Sequence, residues 1–248
     1  MGDKKADLAG PGIGTYEEVE KALPTNYKSV LNPKETQIAI SEVKNYIEKN
    51  LSKELNLIRV ECPLIVDKES GMNDYLDRDG SRTPIDFSCG LGLDKRIDAQ
   101  VVQAATKWKR WALKQFNLKP GEGLFTDMRA VRKDYFLDHD HSAYVDQWDW
   151  ERVIKAKDRD VEFLKDVVRK LWKVLRGAGL HAEKIFPKLK GKYPEFPKEL
   201  TFLHAEEILD MYPDLPRKQR ETAILQKYPA VFIIGIGWTL ERSEEHTS

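Results

Sequence analysis

The chain has 248 residues, 41% of them hydrophobic and 33% charged, enough to bury a sizeable core as one α/β-type domain. Its 41 Lys and Arg balance 41 Asp and Glu, which excludes a strongly cationic nucleic-acid binder and leaves room only for a local patch. Cys62 and Cys89 make neither a disulfide framework nor a zinc motif and fit a reducing cytosol. No apolar run reaches the roughly 20 residues of a membrane span, and the amino terminus lacks an apolar signal region.

Residues 1–26 are polar, contain Gly10-Pro11-Gly12 and read as a loose arm. A helix is expected from Asn32, with Pro33 in its first turn and Ile38, Ile40, Val43, Ile47 and Leu51 as its buried stripe. Residues 58–66 read as a strand, although Pro63 does not suit a central one. Residues 68–97, rich in Gly, Asp and Arg, read as a long loop, a length that points to function or disorder. Residues 99–104 should form a short strand. A helix over 106–116 should then turn Trp108, Trp111 and Leu113 inward. Lys107, Lys109 and Arg110 fall in its first turn, against the helix dipole, which calls for something anionic nearby. For Lys107 and Arg110 a solvated basic face is the simpler reading.

The stretch 124–151 reads as two strands joined by a charged loop around 134–140. Alternation puts Ala143, Val145, Gln147, Asp149 and Glu151 on one face of the second strand, and Tyr144, Trp148 and Trp150 on the other, where aromatics can pack a core. Pairing the strands should bring Arg132 near Gln147 and Asp149. Residues 158–177 form an amphipathic helix with Val161, Leu164, Val168, Leu171 and Leu175 as its stripe, ended by Gly177 and Gly179. A Lys- and Pro-rich connector follows over 188–197. Then come a strand over 200–203, a helix over 205–211 and a helix over 216–227. Residues 230–237, apolar throughout, read as a strand buried on both faces. The five histidines show no metal spacing, and no metal ligand is assigned.

Arg132-Lys133-Asp134 with Gln147-Trp148-Asp149 resembles the second signature motif of class II aminoacyl-tRNA synthetase cores. The strings Lys107-Trp108-Lys109-Arg110, Gly121-Glu122-Gly123-Leu124 and Tyr144-Val145-Asp146-Gln147-Trp148-Asp149-Trp150-Glu151 are more specific. They resemble the ammonia-dependent aspartate ligases of the asparagine synthetase A family, which share that core, and the resemblance extends with gaps over residues 32–237. It implies an α+β fold, an antiparallel sheet flanked by helices and incomplete at its carboxyl-terminal end. The catalytic core would cover 27–241, between the arm and an unrelated tail over 242–248.

The resemblance also implies a reaction: L-aspartate and ATP form a β-aspartyl-adenylate, which ammonia converts to L-asparagine with release of AMP and pyrophosphate. Arg132 would bridge the α-phosphate and the attacking carboxylate. Lys109 would hold a substrate carboxylate, Gln147 would bond neutral polar groups, and Asp149 and Asp74 would take the substrate ammonium. Val145 would pack the adenine, His141 would lie in the nucleotide loop, and Asp134 or Glu151 would help with adenine or Mg²⁺. A homodimer would form through the helix and strand over 33–66, in the cytoplasm. Two alternatives stand beside this: an aspartyl- or asparaginyl-tRNA synthetase core, and a non-catalytic class II paralogue acting by binding or dimerisation. Neutral charge disfavours tRNA. The family's third, arginine-bearing motif has no counterpart here, so a truncated or mis-joined reading of a longer gene is expected.

Overall fold

The computed structural model describes residues 25–76, 83–92, 94–133 and 142–236, together with Glu17 and Glu20. The architecture is α+β. The chain divides into two compact units, Met1–Lys28 with Asn56–Ile154, and Ser29–Leu55 with Lys155–Ser248.

The first unit carries two small sheets. In one, β1 (Leu57–Arg59) runs parallel to β5 (Gly123–Val131), and β5 pairs antiparallel with β6 (Tyr144–Arg152). Leu124, Thr126, Met128 and Ala130, alternate residues of β5, are all fully buried, as a strand with one face on a core requires. At Gly123 the three strands crowd together. A Cβ there would lie 2.4 Å from the Glu151 carbonyl oxygen, 2.6 Å from Leu57 Cδ2 and 2.9 Å from Arg152 Cα, so only glycine lets the backbones approach.

The other sheet orders β2 (Ile65–Asp67), β4 (Arg96–Val101) and β3 (Asp86–Gly90), all antiparallel. This corrects two readings. Residues 58–66 are not one strand but the short β1 and β2, placed in different sheets on either side of Pro63. The long loop over 68–97 contains β3 and the start of β4, whose polar–apolar alternation sits inside a Gly- and Asp-rich composition. The expected strand at 99–104 accordingly begins earlier, and residues 102–105 leave the sheet as a turn.

From that turn rises α2 (Thr106–Gln115). Its buried side chains are Lys109 and Ala112, continuing from Ala105, whereas Trp111 stands 45% exposed. Of the residues expected to turn inward, Trp108 and Leu113 are half-buried and Trp111 alone faces out: positions i, i+4 and i+7 define the inner face, and that face holds a lysine.

The second unit pairs α1 (Pro33–Leu55) with α3 (Val161–Ile185). Asn32 and Glu35 exchange side-chain and backbone hydrogen bonds at the start of α1, a capping box. Of the expected stripe only Ile47 and Leu51 are buried, joined by Leu55, while Ile38 and Ile40 are exposed. In α3 the buried line is Val167, Val168, Val174 and Ala178, so of the predicted stripe Val168 alone is buried; Val161, Leu164 and Leu175 face out.

Neither Gly177 nor Gly179 ends α3. A Cβ at Gly177 would meet the Tyr46 hydroxyl at 2.3 Å, and one at Gly179 would meet Phe196 at 2.9 Å. Each glycine trades roughly 1 kcal/mol of helix propensity for close aromatic packing. The connector is fastened to α3 by Trp172 Nε1–H, which donates to the Pro197 carbonyl at 3.1 Å. Beyond it lie β7 (Thr201–His204), α4 (Ala205–Met211), α5 (Arg217–Lys227) and β8 (Val231–Ile234), with β7 and β8 parallel. Residues 230–237 were expected to form a strand buried on both faces; instead β8 pairs only with β7 among the described strands and is half-buried throughout.

Candidate functional site

The candidate site is built within the first unit, on the β5–β6 hairpin and the helix α2. Register pairs Leu124 with Glu151, Thr126 with Asp149, Met128 with Gln147 and Ala130 with Val145. The next step is the Arg132 N–H donating to the Ala143 carbonyl at 2.8 Å. Arg132, Val145, Gln147, Asp149 and Glu151 therefore share one face, as alternation predicts. They are not, however, direct neighbours. Arg132 stands opposite Ala143, so at about 3.3 Å per residue it lies roughly 13 Å along the strand from Gln147 and roughly 20 Å from Asp149. The expected cluster is a row, because the loop between the strands begins later than a tight pairing of these residues needs.

At one end of the row is a buried ion pair. Lys109, 1% exposed, donates from Nζ to Asp149 Oδ1 at 2.5 Å and to the Trp150 carbonyl at 3.3 Å, with Glu151 Oε1 at 3.9 Å. Burying an ammonium is tolerable only with such company. Arg110 Nε reaches Glu151 Oε1 at 3.6 Å while its side chain stays 71% exposed, so the solvated reading holds, with one carboxylate close by. Beneath the middle of the row lies an apolar floor of Ala105, Met128 and Ala130, with Cys62 and Val145 packed against it. Burial pushes the Cys62 thiol up; the Thr126 hydroxyl pulls the other way, and the Asp149 and Glu61 carboxylates add to the rise.

The first turn of α2 has its anion. Ala105 supplies no side-chain cap. Instead Asp74, distant in sequence, accepts the Lys107 N–H on Oδ2 at 2.9 Å. The first amides of a helix have no partner within it, and a carboxylate there also favours the dipole. Lys107 Nζ donates to the Asn73 carbonyl at 3.0 Å and lies over the Tyr75 ring at 5.8 Å, so it too is engaged. Sequence reasoning missed Asn73. It is 4% exposed, and the available signal was an amide between the Gly71 turn and a candidate carboxylate.

Of the candidates, Lys109, Asp149 and Glu151 come together, with Gln147 and Val145 further along the same face. Asp74 sits at the start of the helix that carries Lys109. Asp134 and His141 lie outside the described residues. Among the described residues, no group of three His, Cys, Asp or Glu could hold a metal ion, and no helix is long and apolar enough to cross a membrane. On the face away from the row, Tyr144 is exposed rather than in a core, whereas Trp148 and Trp150 are half-buried.

The family model described as aspartate-ammonia ligase matches residues 34–248. The aspartate–ammonia ligase of Clostridium tetani is 46% identical over 224 residues, which are 90% of this chain and 64% of that protein. The one from Bacteroides thetaiotaomicron is 45% identical over 224 residues, 90% of this chain and 63% of that protein. The chain thus spans a little under two thirds of the length of these curated relatives. Among solved structures, asparaginyl-tRNA synthetase from Pyrococcus horikoshii, complexed with asparaginyl-adenylate, superposes with a TM-score of 0.55 at 13% identity, over 82% of this chain and 45% of that one. The Entamoeba histolytica asparaginyl-tRNA synthetase, also with asparaginyl-adenylate, gives 0.54 at 11% identity, over 89% and 50%. At such identities the likeness shows the fold, a class II synthetase-like core.

Proposed function

The chain belongs to the aspartate–ammonia ligase family, and from that premise we propose that the whole protein amidates L-aspartate with ammonia at the expense of ATP. The observation that carries this reading is the Lys109–Asp149 pair on the hairpin's site face. An amino acid is itself a cation and an anion a few ångströms apart. A zwitterion can enter by exchanging partners: its ammonium goes to Asp149, its carboxylate to Lys109, and no buried charge is left alone. Asp74 offers a second carboxylate to the ammonium. Gln147, next on the same face, supplies neutral donors and acceptors.

The remaining carboxylate of aspartate must become a better leaving group before ammonia can displace it. Attack of that carboxylate on the α-phosphate of ATP gives the β-aspartyl-adenylate and releases pyrophosphate; ammonia then attacks the acyl carbon, and AMP leaves. Arg132, at the far end of the row, has the planar fork of donors that suits phosphate oxygens. Its separation from Asp149 suits a ligand joining an amino acid to a nucleotide. Val145, over the apolar floor, gives the adenine a surface to pack on. Mg²⁺ would accompany the triphosphate and neutralise its charge. The described residues offer it no set of ligands, so none is assigned and no step is derived through it. Glu151 is taken up by Lys109 and Arg110, which favours a supporting role over adenine contact.

A homodimer through the 33–66 segment is part of the proposal; exposed Ile38 and Ile40 in the second unit, and exposed Ile58, Leu64 and Ile65 in the first, each support it as apolar side chains turned to solvent. The cytoplasm is the compartment proposed. The test is pyrophosphate release from ATP by the purified whole protein, with aspartate and ammonia and without tRNA. Release that depends on aspartate is expected. No binding of aspartate and no release would refute the proposal, and release only with tRNA would favour a synthetase.

A further inference from the structure

We propose that Asn73 is a positioning residue whose side-chain amide sets where the Asp74 carboxylate stands, and thereby how well aspartate is held. The proposal rests on the reading of Asp74 as a reader of the substrate ammonium. Asn73 Nδ2 donates to Gln100 Oε1 at 3.3 Å and to the Val101 carbonyl at 3.2 Å. Its Oδ1 accepts the Gln103 N–H at 2.9 Å, and its own carbonyl accepts Lys107 Nζ at 3.0 Å. A buried amide bonded on both its nitrogen and its oxygen has one orientation, because turning it over would set donor against donor.

The consequence passes directly to the next residue. The Asp74 N–H donates to the Ala104 carbonyl at 3.4 Å, and its carboxylate takes the Lys107 N–H. The turn at residues 102–105 is thus gripped by Asn73 and Asp74 together. That turn leads straight into α2, which carries Lys109. Both groups that would meet the substrate's charges are therefore indexed to one short segment. Gly71, at φ +64°, supplies the left-handed turn that delivers Asn73 to it. Without the amide, the loop would keep the long bond at Ala104, the bonds to Lys107 and the bond from Gln100 Nε2 to the Tyr75 hydroxyl at 3.3 Å.

The experiment uses the 248-residue chain with Asn73→Ala, and with Asn73→Ser, which removes the amide, keeps a small polar group and buries no charge. Amide hydrogen exchange at Lys107 reads the Asp74 contact directly, since that N–H has no partner within the helix. Faster exchange at Lys107, with exchange at Lys109 unchanged, is expected. The dissociation constant for aspartate should rise by between about tenfold and 10²-fold, as a misplacement near 1 Å does, while that for ATP stays within about twofold. In an Asp74→Asn background the same substitution should add little to the loss, because both act on one contact.

Unchanged exchange at Lys107, equal weakening of aspartate and ATP, or full additivity with Asp74→Asn would overturn the assignment. If the parent chain binds no aspartate, the reading of Asp74 as a reader of the substrate ammonium fails for this chain, and Lys107 exchange still decides whether Asn73 positions Asp74.

Discussion

Removing the Asp149 charge tests the electrostatics of the site without removing an atom of its shape. Asp149→Asn keeps an oxygen that can accept from Lys109 but takes away the anion at 2.5 Å. At an effective dielectric of about 20, unit charges at that distance attract by roughly 7 kcal/mol, and at the 3.9 Å of Glu151 by roughly 4. The single change removes the stronger attraction and leaves that of Glu151, so its cost falls below the roughly 3–5 kcal/mol of leaving a buried charge unpaired, at about 2–3 kcal/mol. Adding Glu151→Gln leaves a buried ammonium with neutral partners only, a loss nearer 3–5 kcal/mol. In a chain of this length about 1 kcal/mol moves Tm by about 2–4 °C. The single variant should melt about 5–10 °C below the parent, and the double variant lower still. Glu151→Gln alone should cost less than Asp149→Asn, since it leaves the shorter pair intact. Thermal unfolding followed by circular dichroism measures all four proteins. An Asp149→Asn Tm within about 1 °C of the parent, or a double variant no worse than the single, would refute a buried, paired lysine.

Other consequences are as direct. Arg132→Ala should slow aspartate-dependent pyrophosphate exchange by about 10²-fold, the usual effect of losing one donor to a developing charge; a loss below about threefold would remove Arg132 from the chemistry. Burial holds the Cys62 thiol protonated above its ordinary range, so iodoacetamide at pH 8 should label Cys62 more slowly than Cys89. The same shift means that the folded protein retains this proton longer than the unfolded chain. Stability should therefore fall as pH rises through and beyond the ordinary thiol range, and Cys62→Ser should flatten that fall. Gly177→Ala should destabilise the second unit by about 1–3 kcal/mol through collision with Tyr46. Tyr46→Phe, which lacks the colliding hydroxyl, should recover part of the loss in chemical denaturation.

Much of this was legible in the sequence, and the misses share a cause. The 106–116 helix, the hairpin and the common face of Arg132, Gln147 and Asp149 follow from periodicity, which composition near a site does not disturb. Periodicity failed wherever a residue is placed for a reason other than its own hydrophobicity. Lys109 turns inward because two carboxylates and a carbonyl await it, and it carries Trp111 outward with it. Gly177 and Gly179 stay inside a helix because aromatic rings need their space. The β3–β4 ribbon hid within Gly- and Asp-rich sequence. Asn73 offered only its place beside a candidate carboxylate, since three of its partners are 27–30 residues away. The distance between Arg132 and Asp149 depends on register, and which residues pair across the strands is settled by the β5–β6 ladder itself.

Gly123 touches none of the proposed ligands, yet its lack of a side chain decides how closely β6 can settle against β5 where Glu151 and Asp149 begin. A methyl group there would wedge the ladder open at its root and shift the nearby Glu151 and Asp149 carboxylates with it. Saturation mutagenesis scored by growth or turnover would therefore flag this position as if it met the substrate, and a designer widening the active site would do well to leave it untouched.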